Sequence, residues 1–242
     1  MATTRPLYRQ RTKFYSQPVK RGIAFSLIEL LAVVAIIALV TAITFAVFMQ
    51  SRTKSRETVC LSNLRQIGLG ILAYAQDYDG GLPPSGSPID LKTTLWSSIY
   101  AEIKTMKPLP ELLAPYIKQN DLWRCPSDVG FDRSGWVEEV YFPSYPSSFQ
   151  AHGTSYFYNM FAYLEGKSLA NMRVYDPAPP HAEHGASVVK LMADGSGRWH
   201  GGKSPKDHRF GCLFADGHVR FVSRDQMSEI EGRTFGSPPP SP

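Results

Sequence analysis

Histidines and aspartates in the last quarter of the chain could ligate a metal ion. The five histidines of that region are His181, His184, His200, His208 and His218. Zinc sites usually show a close cysteine pair or histidines at helical spacing such as HExxH, and the sequence contains neither pattern. We therefore expect solvated loop histidines rather than a zinc site.

Three aspartates are candidate ligands for a structural calcium ion, because calcium prefers oxygen ligands and often fixes loops of extracellular modules. Asp79, Asp194 and Asp216 each precede a glycine, and no EF-hand spacing connects them. Asp79 and Asp216 also suit a helix-end turn and a hairpin turn. Calcium is the one cofactor that the sequence admits.

The three cysteines, Cys60, Cys125 and Cys212, leave at least one thiol unpaired in any disulfide scheme. None belongs to a CxxC pair. Cys60 and Cys212 fall among apolar neighbours and suit buried positions. Cys125 lies in a proline-flanked loop and is the candidate for a disulfide bond, but the sequence does not fix its partner.

Motifs for catalysis are missing from the sequence. There is no GxSxG element, no ordered Ser-His-Asp set and no Walker or Rossmann glycine pattern, so we expect no enzyme. The aromatic-rich residues 141–163 could stack on sugars or bases. Aromatic residues are also favoured in strands, which is the simpler interpretation of this segment.

Glu29 is the one charged residue of an apolar run over residues 25–49. A membrane-spanning helix needs about 20 apolar residues, so this run is long enough to cross a bilayer. A carboxylate in the hydrocarbon core costs about 3 kcal/mol unless a cation pairs with it. The run contains no Lys or Arg, so Glu29 requires a cation from outside the span.

The first 24 residues carry six basic residues and no acidic residue. Basic flanks of a span stay in the cytoplasm. We therefore expect a single-pass inner-membrane protein with a cytoplasmic N-terminus and a periplasmic or extracellular head. The net charge of +5 falls to about −1 without these residues, because 20 basic residues then face 21 acidic ones. We accordingly expect no nucleic-acid partner.

Residues 24–31, Ala-Phe-Ser-Leu-Ile-Glu-Leu-Leu, resemble the cleavage and methylation motif of type IV prepilins and type II secretion pseudopilins. The resemblance implies that a prepilin peptidase cuts between Ala24 and Phe25 and that the new amino group on Phe25 is methylated. It also implies a partner for Glu29, the Phe25 ammonium of a neighbouring copy. The family usually has glycine before the cut, so Ala24 predicts slower cleavage.

Further segments resemble a large prepilin-like family with a C-terminal H-X9-DG element. They cover residues 60–84, 122–128, 155–159 and 215–222. The element is altered here, because seven residues rather than nine separate His208 from Asp216. The resemblance implies a pilin-like fold, and it permits a calcium ion near the sheet, as some pseudopilins have.

The elements that position these residues follow from periodicity. No Pro or Gly interrupts residues 25–67, so one long helix is predicted. Beyond Gln50 its apolar residues recur every three or four positions, which predicts an amphipathic half that packs on a head. The stripe comprises Val59, Cys60, Leu64, Ile67, Ile71, Ala75 and Tyr78.

The predicted fold is α+β and pilin-like, with the long helix packed on a small antiparallel sheet. Its parts are a leader (1–24), a transmembrane or filament-core half-helix (25–49), an amphipathic half-helix (50–79), a globular head (80–231) and a disordered proline-rich tail (232–242). Strands are predicted over 155–164, 187–194, 211–216 and 218–223. Asp216-Gly217 predicts a two-residue type I′ turn between the last two strands.

Three functions compete at this point. The first is a structural subunit of a type IV pilus or type II secretion pseudopilus that assembles with copies of itself or with other pilins. The second is a membrane-anchored module that binds polysaccharide or protein and never polymerises. The third and weakest is an anchored metal-dependent enzyme. An uncleaved signal anchor would explain the apolar run and the basic leader, but not Glu29.

Overall fold

The structure, a computed structural model, describes residues 26–92, 101–130, 146–178, 180–201 and 204–235. The predicted processing residues Ala24 and Phe25 lie outside these ranges. The chain divides into two compact units, Met1–Met49 and Gln50–Pro242.

One long helix, α1, runs from Leu27 to Asp77. Its first half is apolar on every side, and the large hydrophobic side chains from Leu27 to Met49 are 47–82% exposed. The most apolar stretch of α1 has a mean hydropathy of 2.9, so the helix is long and apolar enough to be a membrane span or a signal sequence. The predicted long N-terminal helix is confirmed.

The second half of α1 supplies the core of the second unit. Cys60, Leu64, Ile67 and Ile71 are all fully buried, because steps of four, three and four residues keep them on one helix face. Two predicted members of the stripe are instead exposed. Val59 lies one residue, or about 100°, away from Cys60, and Tyr78 follows the last helical residue.

The main sheet is antiparallel and has four strands in the order β1-β4-β5-β6. A second sheet has the order β3-β2-β7. The strands are β1 (Tyr156–Tyr158), β2 (Val174–Tyr175), β3 (Glu183–His184), β4 (Lys190–Asp194), β5 (Arg209–Phe214), β6 (Val219–Ser223) and β7 (Thr234–Phe235). A long helix with small antiparallel sheets is an α+β arrangement, as predicted.

Short helical segments connect these strands. The α-helices are α2 (Pro88–Lys92), α3 (Leu109–Leu112), α4 (Ser148–His152) and α5 (Arg224–Glu231). The 3₁₀ segments are Ala101–Thr105, Asn120–Trp123, Leu169–Asn171, Ala186–Val188, Gly197–His200 and Pro205–Asp207, and Ala162–Gly166 forms a π turn. The strand predicted over 155–164 is shorter than expected, because the Asn159 side chain accepts the Phe161 N–H and starts a turn.

The β5–β6 hairpin corrects the predicted turn. Leu213 pairs with Val219, and the Phe214 N–H donates to the His218 carbonyl, so three residues rather than two form the loop. Gly217 alone has positive φ, at 85°. This geometry is the three-residue hairpin loop with glycine in the left-handed region, whereas type I′ needs two such residues.

The predicted disordered tail, 232–242, is wrong at its start. Thr234 and Phe235 form strand β7, which pairs with β2 through Val174 and Tyr175. Phe235 also packs against the main hydrophobic core. Backbone pairing and apolar burial together order this segment despite the proline-rich sequence that follows it.

Candidate functional site

Glu29 lies in the first turn of α1, where its Oε2 accepts the backbone N–H of Ser26 at 2.9 Å. A carboxylate three residues into a helix commonly caps the first turn in this way. No partner for Oε1 lies among the described residues. The side chain therefore has a local capping role within the part of the chain that the structure describes.

Cys125 is bonded to Cys60, the first core residue of α1. The segment before Cys125 is held against the helix, because the Asn63 side-chain amide donates to the Arg124 carbonyl at 2.9 Å. From the other side, Ser155 Oγ accepts the Cys125 N–H at 3.0 Å. The loop cysteine predicted to form a disulfide is thus fixed between α1 and the start of β1.

His200 and Asp194 lie beside this disulfide. His200 Nε2 is 3.4 Å from Cys125 Sγ and 3.1 Å from Asp194 Oδ2, and both side chains are fully buried. We call Cys60, Cys125, His200 and Asp194 the sulfur–histidine cluster. Asp194 ends β4, and His200 ends a 3₁₀ turn whose first N–H groups are capped by the Ser196 hydroxyl.

Neighbouring residues fix the cluster in place. Gly211 donates its N–H to Asp194 Oδ2 at 2.6 Å, and a side chain at this position would collide with the same oxygen, since an added Cβ would lie 2.7 Å from it. Arg209 donates to the His200 carbonyl and to the Glu57 carboxylate. Gly211 therefore orients the Asp194 carboxylate, and Arg209 holds the backbone of His200.

Tyr156 covers the cluster from β1. Its hydroxyl donates to the Cys60 carbonyl at 3.3 Å. Burial raises the pKa of Tyr156 well above its usual value, and the nearby Asp194 carboxylate raises it further. Tyr156 therefore stays a neutral hydrogen-bond donor at physiological pH.

Two polar atoms of the cluster have no partner among the described residues, Asp194 Oδ1 and His200 Nδ1. Native proteins rarely leave such atoms unsatisfied, because each costs about 1–3 kcal/mol. With the disulfide reduced, the two thiolates, the imidazole nitrogen and the nearby carboxylate would be the donor types of a soft to borderline divalent metal ion. Within the described part of the chain, Cys60, Cys125 and His200 are the one group of three or more possible metal ligands.

The three predicted calcium ligands are not brought together. Asp194 belongs to the buried cluster, whereas Asp216 accepts the His218 N–H in the β5–β6 turn. Asp79 has a φ of 51° in the turn after α1. The calcium prediction remains untested, and the structure supplies no shared oxygen site for it among the described residues.

The histidine prediction is wrong for two residues. His200 and His208 are buried rather than solvated, at 3% and 6% exposure. His200 packs against Cys125, 75 residues away, and against Phe221 of β6, so local loop composition did not indicate its burial. The thiol of Cys212 is buried as predicted, and burial raises its pKa to about 12.

Two tyrosines of the aromatic segment face inward. Tyr156 and Tyr158 are 1% and 2% exposed and belong to the main core. They therefore offer no surface for stacking on sugars or bases. Residues 141–145 of this segment lie outside the described ranges.

Comparison with known proteins adds no relative. No protein-family model, curated protein or solved structure matches the chain.

Proposed function

We propose that this chain is a structural subunit of a type IV pilus or type II secretion pseudopilus with a pilin-like fold. In this proposal a prepilin peptidase cuts before Phe25, the new amino group is methylated, and the N-terminal helix drives assembly with other copies or other pilins. The observation that carries the proposal is the first half of α1, which has exposed apolar side chains on all faces and an acid in its first turn.

The exposed apolar half-helix needs a nonaqueous environment. Its side chains from Leu27 to Met49 are at least 47% exposed, and apolar area costs about 25 cal/mol per Å² in water. A bilayer covers this surface before assembly, and neighbouring helices cover it in a filament. A filament subunit can therefore leave the membrane without exposing the helix to water.

Glu29 supplies the polar contact between copies. Its Oε2 is occupied by the Ser26 N–H, and the other oxygen is available for the Phe25 ammonium of an adjacent subunit. An ion pair of this kind offsets the desolvation of the carboxylate and fixes the axial position of one helix against the next.

The disulfide supports an extracytoplasmic second unit. Cys60 and Cys125 are bonded, and disulfides persist in oxidising compartments such as the periplasm. Together with the basic residues before the span, it supports a topology with the N-terminus in the cytoplasm and Gln50–Pro242 outside the inner membrane.

The first test is the mass of the mature protein purified from its native membrane. The proposal predicts an N-terminal methyl-Phe25 peptide and no peptide from residues 1–24. An intact Met1 end would contradict processing and would leave an uncleaved anchor.

The second test separates the charge of Glu29 from its capping bond. Glu29→Gln keeps an acceptor for the Ser26 N–H but has no charge, so we expect filaments to be lost while the protein remains in the membrane. Losing one partner of a buried ion pair costs about 3–5 kcal/mol per contact. Filament yield by electron microscopy and membrane content by immunoblot measure the two outcomes.

Thr41→Ala is the matched control, because the Thr41 hydroxyl bonds only carbonyls of its own helix turn, Ile37 and Ala38. This variant should form filaments normally. Normal assembly of Glu29→Gln would refute the ion pair. A processed protein that forms no filaments in any background would favour the membrane-anchored binding module.

A further inference from the structure

We infer that the sulfur–histidine cluster binds one zinc ion when the Cys60–Cys125 disulfide is reduced. The ligands are the two thiolates, His200 Nε2 and the Asp194 carboxylate. The same four residues thus have two alternative states. In the oxidised state Cys60 and Cys125 form the S–S bond, and in the reduced state the four residues bind the metal. This inference does not depend on filament assembly.

The distances suit a tetrahedral ion. Zinc bonds of about 2.0–2.3 Å give ligand-to-ligand distances of roughly 3.3–3.8 Å. The 3.4 Å distance between Cys125 Sγ and His200 Nε2 falls within this range, and the 3.1 Å distance between His200 Nε2 and Asp194 Oδ2 is slightly shorter. The sulfur and nitrogen ligand atoms of Cys60, Cys125 and His200 all lie within 4.8 Å of one another, and Asp194 lies outside this group. The site therefore needs two movements, opening of the S–S bond and an approach of the Asp194 carboxylate toward the sulfurs.

Burial and unsatisfied atoms also indicate a missing cation. Cys60 and Cys125 are at most 1% exposed, and the side chains of His200 and Asp194 are fully buried. Asp194 Oδ1 has no partner among the described residues, which leaves a buried carboxylate incompletely satisfied. A divalent ion bound at this carboxylate offsets its desolvation and also neutralises two thiolates.

The supporting bonds resemble those that orient metal ligands elsewhere. Gly211 N–H holds Asp194 Oδ2, and the Arg209 guanidinium, paired with Glu57, holds the backbone carbonyl of His200. Such bonds fix ligand orientation before the metal arrives. Because these bonds do not involve the sulfurs, we expect them to persist when the disulfide is reduced.

The change from the oxidised to the zinc-bound state is a two-electron reduction followed by metal binding. A dithiol reductant gives two electrons and two protons to the Cys60–Cys125 bond and becomes a disulfide itself, which leaves two thiols in the protein. One Zn²⁺ ion then replaces the two thiol protons, and both protons pass to solvent. In the reverse direction, a small-molecule disulfide accepts two electrons from the two thiolates and two protons from solvent and becomes two thiols, which restores the Cys60–Cys125 bond and releases Zn²⁺.

The test uses the full chain in detergent micelles, reduced with a phosphine under anaerobic conditions. Cobalt(II) is the probe, because thiolate-bound tetrahedral cobalt has intense visible bands and a thiolate charge-transfer band. We expect one Co²⁺ per reduced chain, displaced by Zn²⁺, and no such bands for the oxidised chain. A reduced chain that shows no thiolate–cobalt bands, whether folded or not, would overturn the inference.

Variants assign the ligands. Cys125→Ala should lose the thiolate bands, and Asp194→Asn should weaken Co²⁺ binding by about tenfold or more. Cys212→Ala is the matched control, because Cys212 is buried but outside the cluster, and it should bind normally. Unchanged binding by Cys125→Ala would overturn the assignment.

A second measurement uses the unsubstituted chain, so it does not depend on whether the variants fold. In the reduced chain, bound Zn²⁺ should protect Cys60 and Cys125 from alkylation, and peptide mass spectrometry locates the modified sulfurs. Equal alkylation with and without Zn²⁺ would contradict the site.

Discussion

The two halves of helix α1 differ in how their apolar residues are arranged and in how far those residues are exposed. From Leu27 to Met49 apolar side chains occupy every face and are exposed, whereas the second half has one buried apolar stripe, formed by Cys60, Leu64, Ile67, Ile71 and Ala75. The comparison shows that hydrophobic content alone does not place a segment in a core. A single face can pack against a sheet within the same chain, but a helix that is apolar all round requires lipid or other helices.

The two halves also differ in the exposure and the contacts of their glutamates. Glu29 is exposed and bonds only its own helix turn among the described residues, whereas Glu57 is 6% exposed and pairs with Arg209 of β5 and Lys54 of α1. The acid of the second half is satisfied within the chain. The acid of the first half has one oxygen without a partner among the described residues, and we propose an intermolecular role for it.

The largest expected effect on stability concerns the disulfide that links the second half of α1 to Cys125. Cys60→Ser with Cys125→Ser removes a bridge between residues 65 positions apart, and we expect the free energy of unfolding to fall by about 4 kcal/mol. Urea unfolding of the oxidised full chain in micelles measures it. Cys212→Ala, a buried thiol without a disulfide, should cost only about 1 kcal/mol. Equal losses in both variants would show that the bridge adds nothing beyond packing.

The next effect compares the same substitution in the two halves. Leu64→Ala removes a fully buried side chain and should lower the free energy of unfolding of the second unit by about 3 kcal/mol. Leu31→Ala, at a position 66% exposed, should change that free energy by less than about 0.5 kcal/mol. If both variants lose stability equally, the first half is part of the folded core and the contrast fails.

A smaller effect on the free energy of unfolding is expected at Gly68, where α1 has no side chain. An added Cβ at Gly68 would lie 2.7 Å from Leu213 Cδ1, so the fully buried Leu213 side chain has to shift. Overpacking costs about 1–3 kcal/mol, and replacing a helical glycine returns about 1 kcal/mol, so Gly68→Ala should destabilise by about 1 kcal/mol. Leu69→Ala, 60% exposed on the next position, is the control and should be nearly neutral. A stabilised Gly68→Ala variant would show that Leu213 repacks freely.

Local pattern was sufficient for α1 and for most of the main sheet. The absence of helix breakers before Gly68 predicted the continuous helix, and the three-to-four spacing predicted burial of Cys60, Leu64, Ile67 and Ile71. The type I′ turn was wrong because Ala215 joined the loop, which depends on how Phe214 pairs with His218. Composition indicates a turn but does not fix the register on either side of it.

The sulfur–histidine cluster could not be predicted for a different reason. Cys60 and Cys125 are 65 residues apart, and His200 follows Cys125 by another 75. Periodicity shows which face of α1 is buried, but it does not show which loops dock on that face. The two short turns that carry Cys125 and His200 have no strong pattern of their own, so only the tertiary structure brings these residues together.

The smallest effect concerns the ion pair that satisfies the acid of the second half. Glu57 is buried, but the Arg209 side chain is 37% exposed, so water screens the pair and its coupling should be about 1 kcal/mol or less. A double-mutant cycle with Glu57→Gln and Arg209→Gln, followed by urea unfolding at low and high salt, measures this coupling free energy. Glu57→Gln with Lys54→Gln is the matched cycle on the same helix, and since Lys54 is 61% exposed its coupling should be smaller. If the Arg209 coupling is no larger than the Lys54 coupling, then burial of Glu57 does not strengthen its contact with β5, and the difference that we draw between the two acids of α1 has to rest on Glu29 alone.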